Sequence, residues 1–508
     1  MRHVFRMVPI ALAVTLLAGL VFTQAPPPGP SMLHPNLTVA PVVSNLTTPI
    51  SMAFLGANDF LVLEKNTGIV KRIVNGAVQS TVLDLSVNFN SERGLLGIAL
   101  HPNFPTTPWV YLFWTCHSTA APANPFFPDE TRCLDANIFG PDVNDVLNVP
   151  LLGHRLDRFI WNGSALTYDR NLIMLRAFQN DGGDIPPGQN DAAQPPRGNH
   201  NAGVLRFGPD RKLYLIFGDQ GRRGRLQNTL DINPDDQFGG PEPDNAHFSG
   251  VVIRLNDDGT TPTDNPFFAA GAAQGGEAGA NIQRIFTYGV RNSFGMAFDP
   301  RSGSLWYQEN AEDAFDEINR AEPGLNGGWI QVSGPASRVA QYREIETTSL
   351  HGNETFPNLQ QFRWGPERIA TTPAQALSRL LMLPGAHYKD PEFSWKFVIA
   401  PAGLGFMNGR GIGPQFDGDM FLGLAVPLPF GGPLLHLQLT GNRQKIAVDN
   451  PALEDRVDDN ADFNQLTESA SFVIGRDFGI VTDIHTGPNG NLFVASLSNG
   501  AVYEVKRK

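Results

Sequence analysis

Three stretches of the sequence concentrate side chains able to move protons, bear charge or hold a metal. In Gly198-Asn199-His200-Asn201-Ala202-Gly203 a histidine lies among small and polar residues, just ahead of the β-rich run Val204-Leu205-Arg206-Phe207. An imidazole at a strand entrance, with an ordinary pKa of about 6.5, suits proton abstraction near neutrality. The same local pattern also fits a loop histidine bonded to a backbone carbonyl. In Tyr288-Gly289-Val290-Arg291-Asn292-Ser293-Phe294, Arg291 offers a permanent cation between two strand-like runs. It would either stabilise developing negative charge or tie two β units together. Glu309, Glu312, Asp313, Asp316 and Glu317 crowd hard oxygen ligands of the kind Ca²⁺ takes, or form a solvated acidic loop. His387, in Pro384-Gly385-Ala386-His387-Tyr388, is isolated from such groups and reads as structural.

The elements that must position these residues announce themselves by repetition. A tight turn followed by an aromatic and aliphatic run occurs at Gly56–Leu63, His101–Phe113, Gly208–Ile216, Asp299–Tyr307, Phe416–Leu422 and Gly487–Val494. Turns feeding β runs along a long chain are the signature of radially repeated sheets. The expected fold is therefore all-β: a six-bladed β-propeller with long inter-strand loops. Val251–Leu255 reads as a further strand, and Gly500–Val505 as a closing strand that completes the last blade with the first part of the chain. One short helix is expected over Pro373–Leu383, with the proline in the first turn. Cys116–Asn148, Asn180–Arg197, Gln227–His247 and Arg338–Phe362 read as long loops, where function concentrates.

Composition narrows the class. The chain has 508 residues, 41% hydrophobic and 17% charged, which is a globular rather than a disordered balance. The 52 glycines and 41 prolines suit many turns, and the 34 phenylalanines suit packed sheets. A net charge of −12 lacks the basic footprint of a nucleic-acid or anionic-lipid binder.

Arg2, His3 and Arg6 precede an apolar stretch from Met7 to Phe22, and Thr23-Gln24-Ala25 resembles a cleavage site. Residues 1–25 read as a secretory signal and 26–37 as a Pro-rich linker, which leaves 38–508 for the propeller. No integral membrane domain beyond that signal is expected, and the protein should be secreted or periplasmic. In that compartment Cys116 and Cys133 are expected to form a disulfide, the alternative being two free or metal-binding thiols.

Taken in order, these segments resemble the soluble quinoprotein sugar dehydrogenases, the glucose/sorbosone dehydrogenase family that uses pyrroloquinoline quinone (PQQ). The likeness rests on Gly94-Leu95-Leu96-Gly97 with His101-Pro102, and on the His200 block running to Gly218-Asp219-Gln220-Gly221-Arg222. It extends through Tyr288–Pro300, Asp316-Glu317-Ile318-Asn319, Trp395 with Ala400-Pro401-Ala402-Gly403, and Gly487-Pro488-Asn489-Gly490. It implies a six-bladed propeller with the cofactor at one end of the central channel. His200 would be the general base for a sugar hydroxyl, with hydride passing to PQQ. Arg291 and Asn292 would lie beside the quinone, Glu92 at a cofactor-side polar position, and Trp395 and Lys396 near the cofactor. Asn199 stands where the family has an acid, which should raise the basicity of His200 less. Ca²⁺ would be held partly by the backbone carbonyls of Ala311 and Glu312. The substrate would be an aldose or related alcohol, with an unspecified electron acceptor.

The departures from that pattern concern charge. PQQ carries three carboxylates and needs cationic partners. The family's lysine after the run Met420–Leu424 is replaced by Ala425-Val426-Pro427, and its two arginines near the last blade by Ile480-Val481-Thr482-Asp483. Lys396, Arg222, Arg223 and Arg476 are the candidate substitutes. Two other functions follow if they fail to serve: a propeller that has lost PQQ and acts as a binding module, or a metal-dependent, lactonase-like hydrolase.

Overall fold

A computed structural model describes residues 29–89, 92–116, 153–176, 200–220, 228, 248–348, 369–425 and 431–508. Each of the six repeated phrases is the hairpin that joins the first and second strands of a sheet. The pairs are Pro49–Gly56 with Asp59–Glu64, Leu95–Leu100 with Trp109–Thr115, and Leu205–Phe207 with Leu213–Phe217. Met296–Phe298 with Leu305–Glu309, Pro401–Phe406 with Met420–Leu424, and Val481–Thr486 with Leu492–Ser496 complete the series.

Strand pairing among the described residues gives six sheets, of four to six strands each. The first strands pack against one another in sequence order, and Val481–Thr486 returns to Pro49–Gly56. The fold is an all-β propeller with these first strands around its axis. The last sheet closes as the sequence suggests: Ala501–Arg507 pairs antiparallel with Leu37–Val43, so the last strand and an early one share a sheet.

The second strands are sandwiched between neighbouring sheets, which explains their composition. Leu213–Phe217, Met420–Leu424 and Leu492–Ser496 are buried at every position. A strand covered on both faces reads as a continuous apolar run rather than an alternating one. Trp114, Trp306 and Trp395 fill the spaces between sheets and are fully buried. At one point near the axis two backbones approach too closely for a side chain. A Cβ on Gly97 would lie 2.0 Å from the carbonyl oxygen of Gly203 on the next sheet.

Several expectations are corrected. Residues 26–37 are not a linker throughout: Ser31–Met32 pairs with Val473–Arg476, and Leu37 begins a strand. The loop expected over 338–362 starts instead with a 3₁₀ turn, Ala336–Arg338, and the helix Val339–Thr347, whose Val339, Tyr342 and Ile345 pack inward. Its apolar stripe is too short to stand out from the polar residues around it. The helices Phe268–Gln274 and Gly276–Arg284 were not expected either; both are short and rich in Ala and Gly. The helix expected over 373–383 forms only at Pro373–Ser378, capped by the Thr372 side chain, which accepts from the Gln375 N–H. Most of the other three long loops, and Cys133, lie outside the described residues.

Candidate functional site

The start of each first strand supplies the site. Thr48, Glu92, Ala202, Phe294, Ala402 and Ile480, one from each sheet, line a single cavity of about 300 Å³ at the axis. Its walls are mostly apolar, with Ile50, Leu96, Val204 and Leu497 added to these. The charged side chains on its lining are Lys65, Glu92 and Asp483.

Glu92 is the junction of the site. Its Oε2 accepts from the backbone N–H of His200 at 2.6 Å and of Asn201 at 3.3 Å, and from Asn292 Nδ2 at 3.2 Å. Three sheets are thereby tied to one carboxylate. His200 holds φ at 58° and Ala202 at 50°, left-handed values that cost energy for residues with a Cβ. The strain turns the His200 backbone N–H toward Glu92 and its imidazole toward Asp219.

Nδ1 of His200 lies 2.5 Å from Oδ1 of Asp219, and both residues are buried. An ionised carboxylate has no proton to give, so Nδ1 is the N–H side of the ring, and in the neutral imidazole Nε2 is the lone-pair side. Asp219 is held in turn by Trp329, whose Nε1 donates to Oδ2 at 2.8 Å, and its own N–H donates to the Arg291 carbonyl. Gly218 allows this approach, because a Cβ there would meet the His200 carbonyl oxygen at 2.2 Å. Behind Asn201, His154 is fully buried between Thr115 Oγ1 at 2.8 Å and Asn201 Nδ2 at 3.0 Å. Burial, then the nearby Arg93, pushes its pKa well down, so it stays a neutral brace.

Arg291 is buried and points away from the cavity lining. Its Nη1 donates to the Asn310 carbonyl at 2.7 Å, its Nη2 to Glu312 at 2.6 Å, and its guanidinium lies over Trp329. It clamps the turn that carries Ala311 and Glu312. Asp316 holds the same turn, accepting from the N–H groups of Ala311, Ile399 and Ala400. Burial nevertheless raises the Asp316 pKa to about 6. Neither the Ala311 nor the Glu312 carbonyl accepts a hydrogen bond from a described residue. Hard cations prefer oxygens of this kind. Among the described residues no group of three His, Cys, Asp or Glu side chains is placed to hold a metal.

The structure thus gathers His200, Glu92, Asn292 and, one layer back, Arg291, Ala311 and Glu312. It does not bring Trp395 or Lys396 to the cavity. Trp395 is fully buried in the core between sheets, its Nε1 donating to Ser469 Oγ. Lys396 stands over the ring of Phe397. Both belong to the fourth strand of their sheet, too far from the axis. Arg476 is exposed, likewise on a fourth strand. Asn199, Arg222 and Arg223 lie outside the described residues. Sequence reasoning missed the roles of Asp219, His154 and Lys65. Asp219 was legible as the acid in Gly218-Asp219-Gln220 directly after a strand; His154 carries no local signal.

The profile described as Glucose / Sorbosone dehydrogenase matches residues 46–125 and 189–357. Quinoprotein glucose dehydrogenase B of Acinetobacter calcoaceticus is 27% identical over 345 residues, covering 66% of this chain and 61% of that protein. Aldose sugar dehydrogenase YliI of Escherichia coli is 25% identical over 297 residues, covering 58% of this chain and 57% of that protein. The matched region is thus about three-fifths of the length of these two relatives. A structure described as the PQQ-bound form of aldose sugar dehydrogenase from Streptomyces coelicolor superposes with a TM-score of 0.52 at 18% identity, covering 93% of this chain and 98% of that one. That likeness bears on the fold.

Proposed function

The chain belongs to the glucose/sorbosone dehydrogenase family, and from that premise we propose that it is an exported oxidoreductase that oxidises a hydroxyl of an aldose or related alcohol with PQQ and Ca²⁺. In this reading the reaction takes place at the end of the propeller axis where the first strands begin. The observation that carries the reading is the His200–Asp219 pair, whose His200 backbone N–H is held by Glu92, itself a residue of the apolar cavity's lining.

The described residues fit the cofactor in three respects. Apolar side chains such as Ile50, Leu96, Phe294 and Ile480 offer faces for a flat ring. Lys65 supplies a cation on the lining. The carbonyls of Ala311 and Glu312 offer oxygens to Ca²⁺. When bound, PQQ supplies a two-electron acceptor for the hydride of the carbinol carbon, and Ca²⁺ a Lewis acid.

The protein's own part is proton transfer and positioning. Nε2 of His200 takes the proton of the substrate hydroxyl as its C–H bond breaks. Asp219 orients the imidazole and stabilises the imidazolium that forms. Trp329 keeps Asp219 in place, and Glu92 keeps the His200 backbone in its left-handed turn. The apolar walls exclude water, which strengthens each of these contacts. Export implies the oxidising compartment in which the Cys116–Cys133 pairing would persist.

The test is a titration of metal-stripped protein with PQQ and Ca²⁺, followed by absorbance, with dye reduction by a panel of aldoses. Saturable binding with sugar-dependent reduction, lost in His200→Ala, is the expected result. Absence of binding at tens of micromolar PQQ would overturn the reading in favour of a binding module. No arrangement among the described residues favours the hydrolase, which needs polar side chains around one metal.

A further inference from the structure

We propose that Lys65 is a cofactor-binding residue, its ammonium pairing with a carboxylate of PQQ in the axial cavity. The inference rests on the PQQ reading above and adds a contact that the family resemblance does not assign.

Lys65 directly follows the second strand of its sheet, Asp59–Glu64, and lines the cavity. Ala425 directly follows the second strand Met420–Leu424 and lines the same cavity. The two positions are equivalent in detail. The Lys65 N–H donates to the Thr48 carbonyl, just before the first strand Pro49–Gly56. The Ala425 N–H donates to the Ala400 carbonyl, just before the first strand Pro401–Phe406. Repetition of the fold thus delivers residue 65 and residue 425 to corresponding points around one axis. In this chain the ammonium is carried by the first sheet and a methyl group by the fifth.

The lining carries one ammonium, Lys65, and two carboxylates, Glu92 and Asp483, and both carboxylates have hydrogen-bond partners of their own. Of the described residues that line the cavity, Lys65 is the one lysine or arginine. The Glu92 carboxylate is taken up by N–H donors from two backbone groups and by Asn292. That of Asp483 is engaged by Arg206 and His485. Lys65 Nζ donates to Asn66 Oδ1 at 3.0 Å and to the Phe89 carbonyl at 3.4 Å, contacts that hold it at the rim. Burial lowers its pKa to about 8, against the pull of Glu92 and with a push from Arg93. A bound carboxylate would favour the charged form further and raise this pKa, since an opposite charge in an apolar site is weakly screened.

The experiment is equilibrium titration of the full-length metal-loaded protein with PQQ, by absorbance, for wild type, Lys65→Met and Lys65→Arg, with thermal unfolding of each. Lys65→Met should weaken binding by about 10- to 100-fold, as expected for a lost charge-assisted hydrogen bond, and Lys65→Arg should recover most of it. Wild-type affinity should also fall as pH rises through about 8, while that of Lys65→Arg stays level. This second readout decides the matter if Lys65→Met fails to fold. Wild-type binding that is unaltered in Lys65→Met, or level in wild type from pH 7 to about 9.5, overturns the proposal and leaves the dehydrogenase reading standing. A wild type that does not bind PQQ overturns both.

Discussion

Nδ1 of His200 lies 2.5 Å from Oδ1 of Asp219, although 19 residues separate them in the chain. The contact leaves Nε2 as the ring nitrogen not engaged by Asp219. His200→Ala should lower sugar-dependent dye reduction by about 10²- to 10⁴-fold, the usual worth of a positioned general base. Asp219→Asn should lower kcat by about 10²-fold or more with little change in KM, because an amide does not stabilise the imidazolium. Steady-state kinetics of both variants checks this.

Glu92→Ala removes the acceptor of two backbone N–H groups and of Asn292. Leaving buried donors unsatisfied costs about 1–3 kcal/mol. The variant should melt earlier and lose activity, whereas Glu92→Gln, which keeps one acceptor oxygen, should retain more of both. Calorimetry beside kinetics separates the two effects.

Arg291→Lys keeps a charge but not the fork that holds Asn310 and Glu312 together. The turn bearing the Ala311 and Glu312 carbonyls should loosen. The expected outcome is about a tenfold rise in the Ca²⁺ needed to restore thermal stability after chelation. Melting curves across a Ca²⁺ series measure it.

Asp483 joins the first and last sheets: Oδ2 accepts from Ser51 Oγ at 2.8 Å and Met52 N–H at 2.9 Å, and Oδ1 pairs with Arg206 at 2.7 Å. Burial pushes its pKa up, but His485 and Arg206 outweigh burial and hold it below the ordinary 3.8. Its stabilisation is therefore present above pH ~4 and lost as pH falls through the lower folded value. Asp483→Asn should cost about 3–5 kcal/mol at pH 7, since Arg206 loses its charged partner, and the gap from wild type should narrow at pH 3. Denaturant unfolding at the two pH values tests this.

Gly97→Ala places a methyl 2.0 Å from the Gly203 carbonyl oxygen. The first strands of adjacent sheets would be forced apart, at about 1–3 kcal/mol. His200 lies three residues from Gly203, so activity should fall further than stability alone explains. Urea unfolding and kinetics of the same preparation check it.

The local signals were strong where chemistry and geometry are both local. The hairpin turns and the apolar second strands, such as Leu213–Phe217, are legible because a strand buried on both faces needs an unbroken apolar run. His200 and Asn292 stood out as candidates because each lies a few residues ahead of a first strand. Trp395 and Lys396 misled, since a tryptophan beside a lysine looks the same in sequence whether it faces an axis or a core. Helix Val339–Thr347 was hidden because its few inward residues form too short a stripe.

By itself the sequence determined an all-β repeat and singled out the segment that carries His200, because strand propensity and turn chemistry act over a few residues. Only the tertiary structure decided that Glu92 reaches His200 across 108 residues, that Arg291 clamps a turn instead of lining the cavity, and that Lys65 lines it. Those facts depend on which strand is innermost and which way each chain end points. Closure of the ring fixes both, and no window of sequence contains it.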